Sequence, residues 1–252
     1  MSGTRSPSPM APATDTHDVV LVAFGSLSDP EPHQRGLEEL AVRVGDMLPG
    51  WRVRGATLGH DGAVARAFEG LGPDAVVFPA LMSDGFILRK VMRDALVAAG
   101  RGDAPVLRPL GLLPAFHEVC ADMIRDALTN NRLQATRTTV VLAAHGSARG
   151  PRPAACARML CGELERMTRV KAVTPGYLEE APFLKDALAA APSPSICLPC
   201  FVVSAFHASS DVPEAVDESG FTGPVLPVAG SMPGVAEVIA QEIQSTRQRG
   251  AA

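Results

Sequence analysis

A chain that writes one strand-to-loop phrase twice is constrained to fold as two related units. Here Val20-Leu21-Val22-Ala23-Phe24-Gly25-Ser26 returns as Val141-Leu142-Ala143-Ala144-His145-Gly146-Ser147. The echo continues: Phe78-Pro79 and Phe86-Ile87 match Leu198-Pro199 and Phe206-His207, and Pro114 and Glu118-Val119 match Pro233 and Glu237-Val238. The separations (145 − 24 = 121, 207 − 87 = 120, 233 − 114 = 119) barely drift, as expected of a tandem duplication. Within 252 residues the repeat implies two units, each of ordinary domain size.

The copies differ where chemistry is possible. Thr57-Leu58-Gly59 lies opposite Tyr177-Leu178-Glu179, so His145, Glu179 and His207 face Phe24, Gly59 and Ile87. A histidine at a strand end is by itself an ordinary structural residue, and Glu179-Glu180 could simply complement a helix N-terminus. The duplication supplies an internal control, because three polar side chains at three matching positions have apolar or absent counterparts. Two imidazoles and a carboxylate form a metal-type ligand set.

Composition removes several function classes. A net charge of −4 and a pI near 5.9 leave no electrostatic footprint for nucleic acid or an anionic membrane surface. No apolar run is long enough to span a bilayer, and residues 1–17, rich in Ser, Pro and Thr, lack a signal peptide's apolar core. That stretch reads as a disordered tail of a cytoplasmic protein. Five cysteines, an odd number, point to reduced thiols. Cys197-Leu198-Pro199-Cys200 has redox or zinc spacing, but it sits in a strand-like run where positions three apart face opposite ways. His17, His33, His60 and His117 are isolated and read as surface residues.

Each half alternates strands and helices. The expected strands are Val19 to Ala23, Arg52 to Leu58, Ala75 to Pro79 and Pro105 to Pro109, then Thr139 to Ala144, Ala172 to Leu178, Ser195 to Val203 and Val225 to Ala229. Helix-length segments separate them, among them Leu88 to Ala99 and Val212 to Glu218. The pattern implies two tandem flavodoxin-like three-layer α/β/α domains, 18–130 and 139–252, each with a four-stranded parallel sheet and joined near Thr129 to Thr138. Ligands of such sheets bind beyond the carboxyl ends of the strands, where His145, Glu179 and His207 fall. No G-x-S-x-G elbow and no nucleotide-binding glycine loop is present.

These marks together, Ala144-His145-Gly146-Ser147, Gly176-Tyr177-Leu178-Glu179 and Leu198-Pro199 through Phe206-His207 to Asp211-Val212-Pro213, resemble the class II chelatases. These are the sirohydrochlorin cobaltochelatases and ferrochelatases. The resemblance runs from about Val19 to about Ile243, in the two-lobed form with a degenerate first half. It implies insertion of Co2+ or Fe2+ into sirohydrochlorin or a related tetrapyrrole, in cobalamin or sirohaem synthesis. His145, His207 and Glu179 would hold the metal and accept pyrrole protons. The metal is then a substrate, no cofactor is permanently bound, and the partners are a tetrapyrrole and a metal ion, with no nucleic acid or membrane, for a monomer or homo-oligomer.

Neutral imidazole suits this task as both borderline ligand and base, and three protein ligands leave the shell open enough to release the ion. A substrate bearing many carboxylates calls for cations and hydroxyls. Arg149, Arg152 and Lys185, Arg89 and Lys90 opposite the His207 loop, and Ser147, Ser209 and Ser210 are the candidates. Two other classes remain open: a noncatalytic tetrapyrrole- or metal-binding protein, and a phosphoryl-transfer or hydrolytic enzyme using His145 as nucleophile.

Overall fold

The computed structural model describes residues 16–202 and 211–250, with side chains described to residue 246. The first half contains β1 (His17–Ala23), α1 (Pro30–Asp46), β2 (Trp51–Thr57), α2 (Ala63–Phe68), β3 (Val76–Pro79), α3 (Arg93–Ala98) and α4 (Pro114–Asn130). The second contains β4 (Thr139–Ala144), α5 (Arg152–Thr168), β5 (Ala172–Tyr177), α6 (Leu184–Ala189), β6 (Ser195–Pro199), α7 (Val212–Ser219) and α8 (Gly234–Gly250). The tail expected over 1–17 lies outside the described residues up to position 15, and β1 already includes His17.

Two parallel sheets result, ordered β2-β1-β3 and β5-β4-β6. The central strands are buried on both faces, which is why Val19 to Val22 and Val140 to Ala143 read as unbroken apolar runs. Their alternation sorts two interiors. Val19, Leu21, Val140 and Leu142 point into one continuous core, filled by α1, α4, α5 and α8 from both halves. Val20 and Val22 point outward to a core under α2 and α3, and Val141 and Ala143 to one under α6 and α7. Each sheet is thus sandwiched between helices, and the inner layers of the two halves merge.

The expected fourth strands are the main correction. Each survives as a single parallel bridge, Val77 to Val106 and Cys197 to Val225. In the first, the Val77 amide donates to Pro105 O and the Leu107 amide to Val77 O, at 2.8 and 2.9 Å. One step toward the carboxyl end the donor would be Pro79, and one step back it would be Pro105; neither has an N–H. Pro199 and Pro224 stop the second bridge in the same way, so each sheet has three strands. The expected helix over Leu88 to Ala99 also differs, beginning as a π-helical turn at Ile87–Met92 before α3.

The repeat is legible in backbone hydrogen bonds. Gly59 N–H donates to Phe24 O at 2.8 Å, as Glu179 N–H donates to His145 O at 3.0 Å. Ala80 N–H to Val22 O and Cys200 N–H to Ala143 O form a second matching pair, both 2.8 Å. Phe24 and His145, and Gly59 and Glu179, are therefore structural equivalents as well as aligned letters.

Candidate active site

His145 follows the last residue of β4 and Glu179 lies two residues beyond β5, so both sit at the carboxyl edge of the second sheet. Their backbone hydrogen bond brings the side chains together, with His145 Nδ1 and Glu179 Oε2 3.5 Å apart. Gly146 makes the turn possible. Its φ is +71°, and a Cβ there would lie 2.9 Å from Tyr177 Cβ and 3.0 Å from Glu180 Cγ. The Glu180 carboxylate accepts the Ser147 N–H at 2.8 Å and pins the loop from the other side.

The pair faces a cleft of about 590 Å³ between the two halves. The first half contributes an apolar wall that includes Phe24, Leu27, Leu58, Leu81, Phe86 and Ile87. From the second half come His145, Ser147, Arg149 and Glu179. Phe24 and Ile87, which stand where the second half has histidines, pack back against the outer core of their own half. Gly59 has no room for a side chain, since a Cβ there would fall 2.3 Å from Ser26 O. On this wall the positions equivalent to His145 and Glu179 are an apolar ring and a residue with no room for a side chain.

The candidate cations divide. The Arg149 guanidinium lies over the Phe86 ring, 5.8 Å from its centroid, and lines the cleft. Arg152 instead spans the halves: its Nε and Nη2 donate to the two Asp84 carboxylate oxygens at 2.7 and 2.6 Å. Arg89 joins the same acceptor, donating from Nη2 at 3.0 Å and from Nε to the Asp84 carbonyl at 2.8 Å. The Arg152 hydrogen bonds, and then those from Arg89, hold the Asp84 carboxyl well below the usual carboxylate range despite its partial burial. Lys90 pairs with Asp94 one helical turn along. Lys185 pairs with Glu218 at 3.4 Å in a neighbouring groove, outside the cleft. The Ser147 hydroxyl accepts the Arg149 N–H at 3.0 Å, a turn within the loop, while α5 starts only at Arg152.

His207, Ser209 and Ser210 lie outside the described residues. Among the described residues no group of three or more His, Cys, Asp and Glu could hold a metal ion, which leaves His145 and Glu179 as the observed part of the set. Two expectations about histidines are corrected. His117 is buried, its Nε2 3.0 Å from Gly111 O, and His33 is buried at 4% exposure and lines the cleft. Both follow inward-facing stripes of amphipathic helices, α4 and α1, that isolated histidines did not reveal. Sequence reasoning also missed Asp84, whose only mark was a polar break just after β3.

The Cys197–Cys200 pair behaves as its strand setting predicts. Cys197 joins the outer core of the second half and Cys200 the shared core, on opposite faces of the sheet. All five cysteines are free and buried, and burial pushes the Cys197 thiol up to about 12.

The geometry matches known proteins. A family model for CbiX fits residues 139–246, the half that carries the pair. No curated protein matches the sequence. Among solved structures, a CbiX described as the terminal enzyme of siroheme biosynthesis in denitrifying bacteria is 36% identical, with a TM-score of 0.82 over 91% of this chain and 99% of that one. SirB from Bacillus subtilis with Fe3+ is 15% identical, with a TM-score of 0.72 over 93% of this chain and 98% of that one. The sirohydrochlorin chelatase SirB from Bacillus subtilis subspecies spizizenii in complex with cobalt is 14% identical, with a TM-score of 0.67 over 92% and 96%. At those identities the two SirB structures speak for the fold alone.

Proposed function

Because the chain belongs to the CbiX family of class II chelatases, we propose that it inserts a divalent metal ion, Co2+ or Fe2+, into sirohydrochlorin. The observation that carries this reading is the His145–Glu179 pair, set in the wall of a largely apolar cleft of small-molecule size. The metal ion is a substrate here, and His145, Glu179 and His207 are assigned to receive it. Imidazole replaces water of hydration without holding the ion as a closed four-ligand shell would. The carboxylate offsets the dication's charge, and neutral imidazole accepts a pyrrole proton near neutral pH.

The two walls have separate tasks. The apolar first half covers the macrocycle and excludes water, which strengthens every charge interaction inside. Arg149, held over Phe86 at the mouth, meets the substrate's carboxylates, and Ser147, Ser209 and Ser210 add hydrogen bonds. We assign Arg89 and Arg152 to the rim through Asp84, and leave Lys185 outside the cleft. The lobes 18–130 and 139–252 form one enzyme with one active site per chain, acting in the cytoplasm. No described helix is long and apolar enough to cross a membrane.

The test is the anaerobic absorbance change of sirohydrochlorin with Co2+ and, separately, Fe2+, in the presence and absence of protein. Acceleration by the wild-type chain and its loss in His145→Ala supports the assignment and ranks the metals. Tight binding of the macrocycle without acceleration would make the chain a carrier. Metal-independent turnover of phosphate esters would make it a hydrolase.

A further inference from the structure

Resting on the chelatase reading, we propose that His33 is a second proton acceptor, serving the face of the macrocycle opposite the His145–Glu179 pair. Insertion must break two pyrrole N–H bonds, each leaving its electron pair on nitrogen for the metal. A proton leaving through the face by which a dication arrives meets that ion's repulsion, whereas departure through the other face does not. A base on the first half's side of the cleft lets one proton leave without that repulsion. Among the described residues that line the cleft, His145 and His33 carry imidazoles, the side chains that commonly accept protons near neutral pH, and only His33 comes from the first half.

His33 is built in firmly. It sits in the first turn of α1 at 4% exposure. The next residue, Gln34, accepts both the Thr57 N–H at 2.8 Å and the Thr57 hydroxyl at 3.0 Å, and donates to Gly55 O at 3.0 Å. The helix start is thereby locked to the end of β2. The repeat supplies a control running opposite to that for His145. The position equivalent to His33 is Ala154 (154 − 33 = 121, the separation of His145 from Phe24), so here the first half alone carries the imidazole. In the second half the corresponding anchor is Tyr177 Oη donating to Ala154 O at 3.3 Å, which needs no side chain at 154. His117 likewise faces an alanine, Ala236, but its ring is taken up by Gly111 O at 3.0 Å, whereas His33 lines the cleft.

One proton then passes from a pyrrole N–H to a His33 ring nitrogen, and the imidazolium later releases it to water. The second leaves through the His145–Glu179 side once the ion has moved into the ring.

The experiment compares wild type, His33→Gln and His33→Ala in steady-state Co2+ insertion into sirohydrochlorin, with and without added imidazole. His33→Gln keeps side-chain bulk and hydrogen bonding but cannot take the proton. It is expected to lower kcat by about 100-fold while leaving KM for both substrates within about twofold. His33→Ala is expected to be equally slow and to recover with imidazole, a gain that neither wild type nor His33→Gln shows. A His33→Gln enzyme with wild-type kcat, or a loss confined to KM, overturns the proposal. Failure of wild type itself to accelerate insertion would instead overturn the chelatase reading.

Discussion

Glu179 is joined to His145 twice: its amide donates to the His145 carbonyl at 3.0 Å, and its carboxylate lies 3.5 Å from the imidazole. The backbone link belongs to the ancestral unit, since Gly59 and Phe24 share it, while the side-chain link belongs to one copy alone. Chemistry has been added to, or lost from, a scaffold that does not change.

Removing either side chain should silence the enzyme without unfolding it. His145→Ala and Glu179→Gln are each expected to reduce the insertion rate by about 10²-fold or more. Both side chains are about half-exposed, so thermal unfolding should move by no more than about 0.5 kcal/mol. A large loss of stability would assign the pair a structural role instead.

Phe24→His should not create a second site. The bound Co2+ per chain, measured by equilibrium dialysis, is expected to match wild type, because Gly59 offers no carboxylate. Adding Gly59→Glu should destabilise the chain by about 1–3 kcal/mol or more, since its Cβ would collide with Ser26 O. Tight binding of a second ion by the double variant would refute this account.

Asp84→Asn tests the clasp across the cleft. With the solvent-screened arginines at the rim, the expected loss is about 1 kcal/mol, a fall in Tm of about 2–4 °C for a chain of this size. The carboxyl is held lower in the folded state than in the unfolded chain. Its contribution is therefore fully present above the ordinary carboxylate range and vanishes only as pH falls through the depressed folded value. Melting curves of wild type and variant should differ by a constant amount from mildly acidic to neutral pH and converge in strong acid. A gap that grows toward neutrality would contradict this sign.

The thiols should be silent in the native protein. All five are buried and the Cys161 and Cys197 thiols are pushed up to about 12, so an aromatic disulfide reagent at mildly alkaline pH should label few in the folded chain and five in denaturant. Rapid native labelling of Cys197 or Cys200 would reopen a redox role for that pair.

Much of this was legible in the letters because the duplication made each half a reference for the other. The unbroken apolar runs Val19 to Ala23 and Val140 to Ala144 marked two buried central strands, and the mismatches at Phe24 and Gly59 pointed to the site proposed here. The fourth strands were misjudged because Val106-Leu107 and Val225-Leu226 have strand composition, whereas the decisive fact is which neighbouring prolines lack a donor for the next rung. Asp84 and His33 were missed for another reason. Their significance is relational, set by an arginine 68 residues away and by a cleft that exists only after both halves meet.

The merged interior explains why the half without a histidine at position 24 persists. Leu37 and Phe116 of the first half are packed into the same core as Leu160 and Ile239 of the second. A gene cut between Asn131 and Thr138 would yield two polypeptides, each with a raw aliphatic face, insoluble apart and able to complement one another only when made together. Deletion of the first copy would strip the core of the second, so its core positions are held under selection by the activity of its twin.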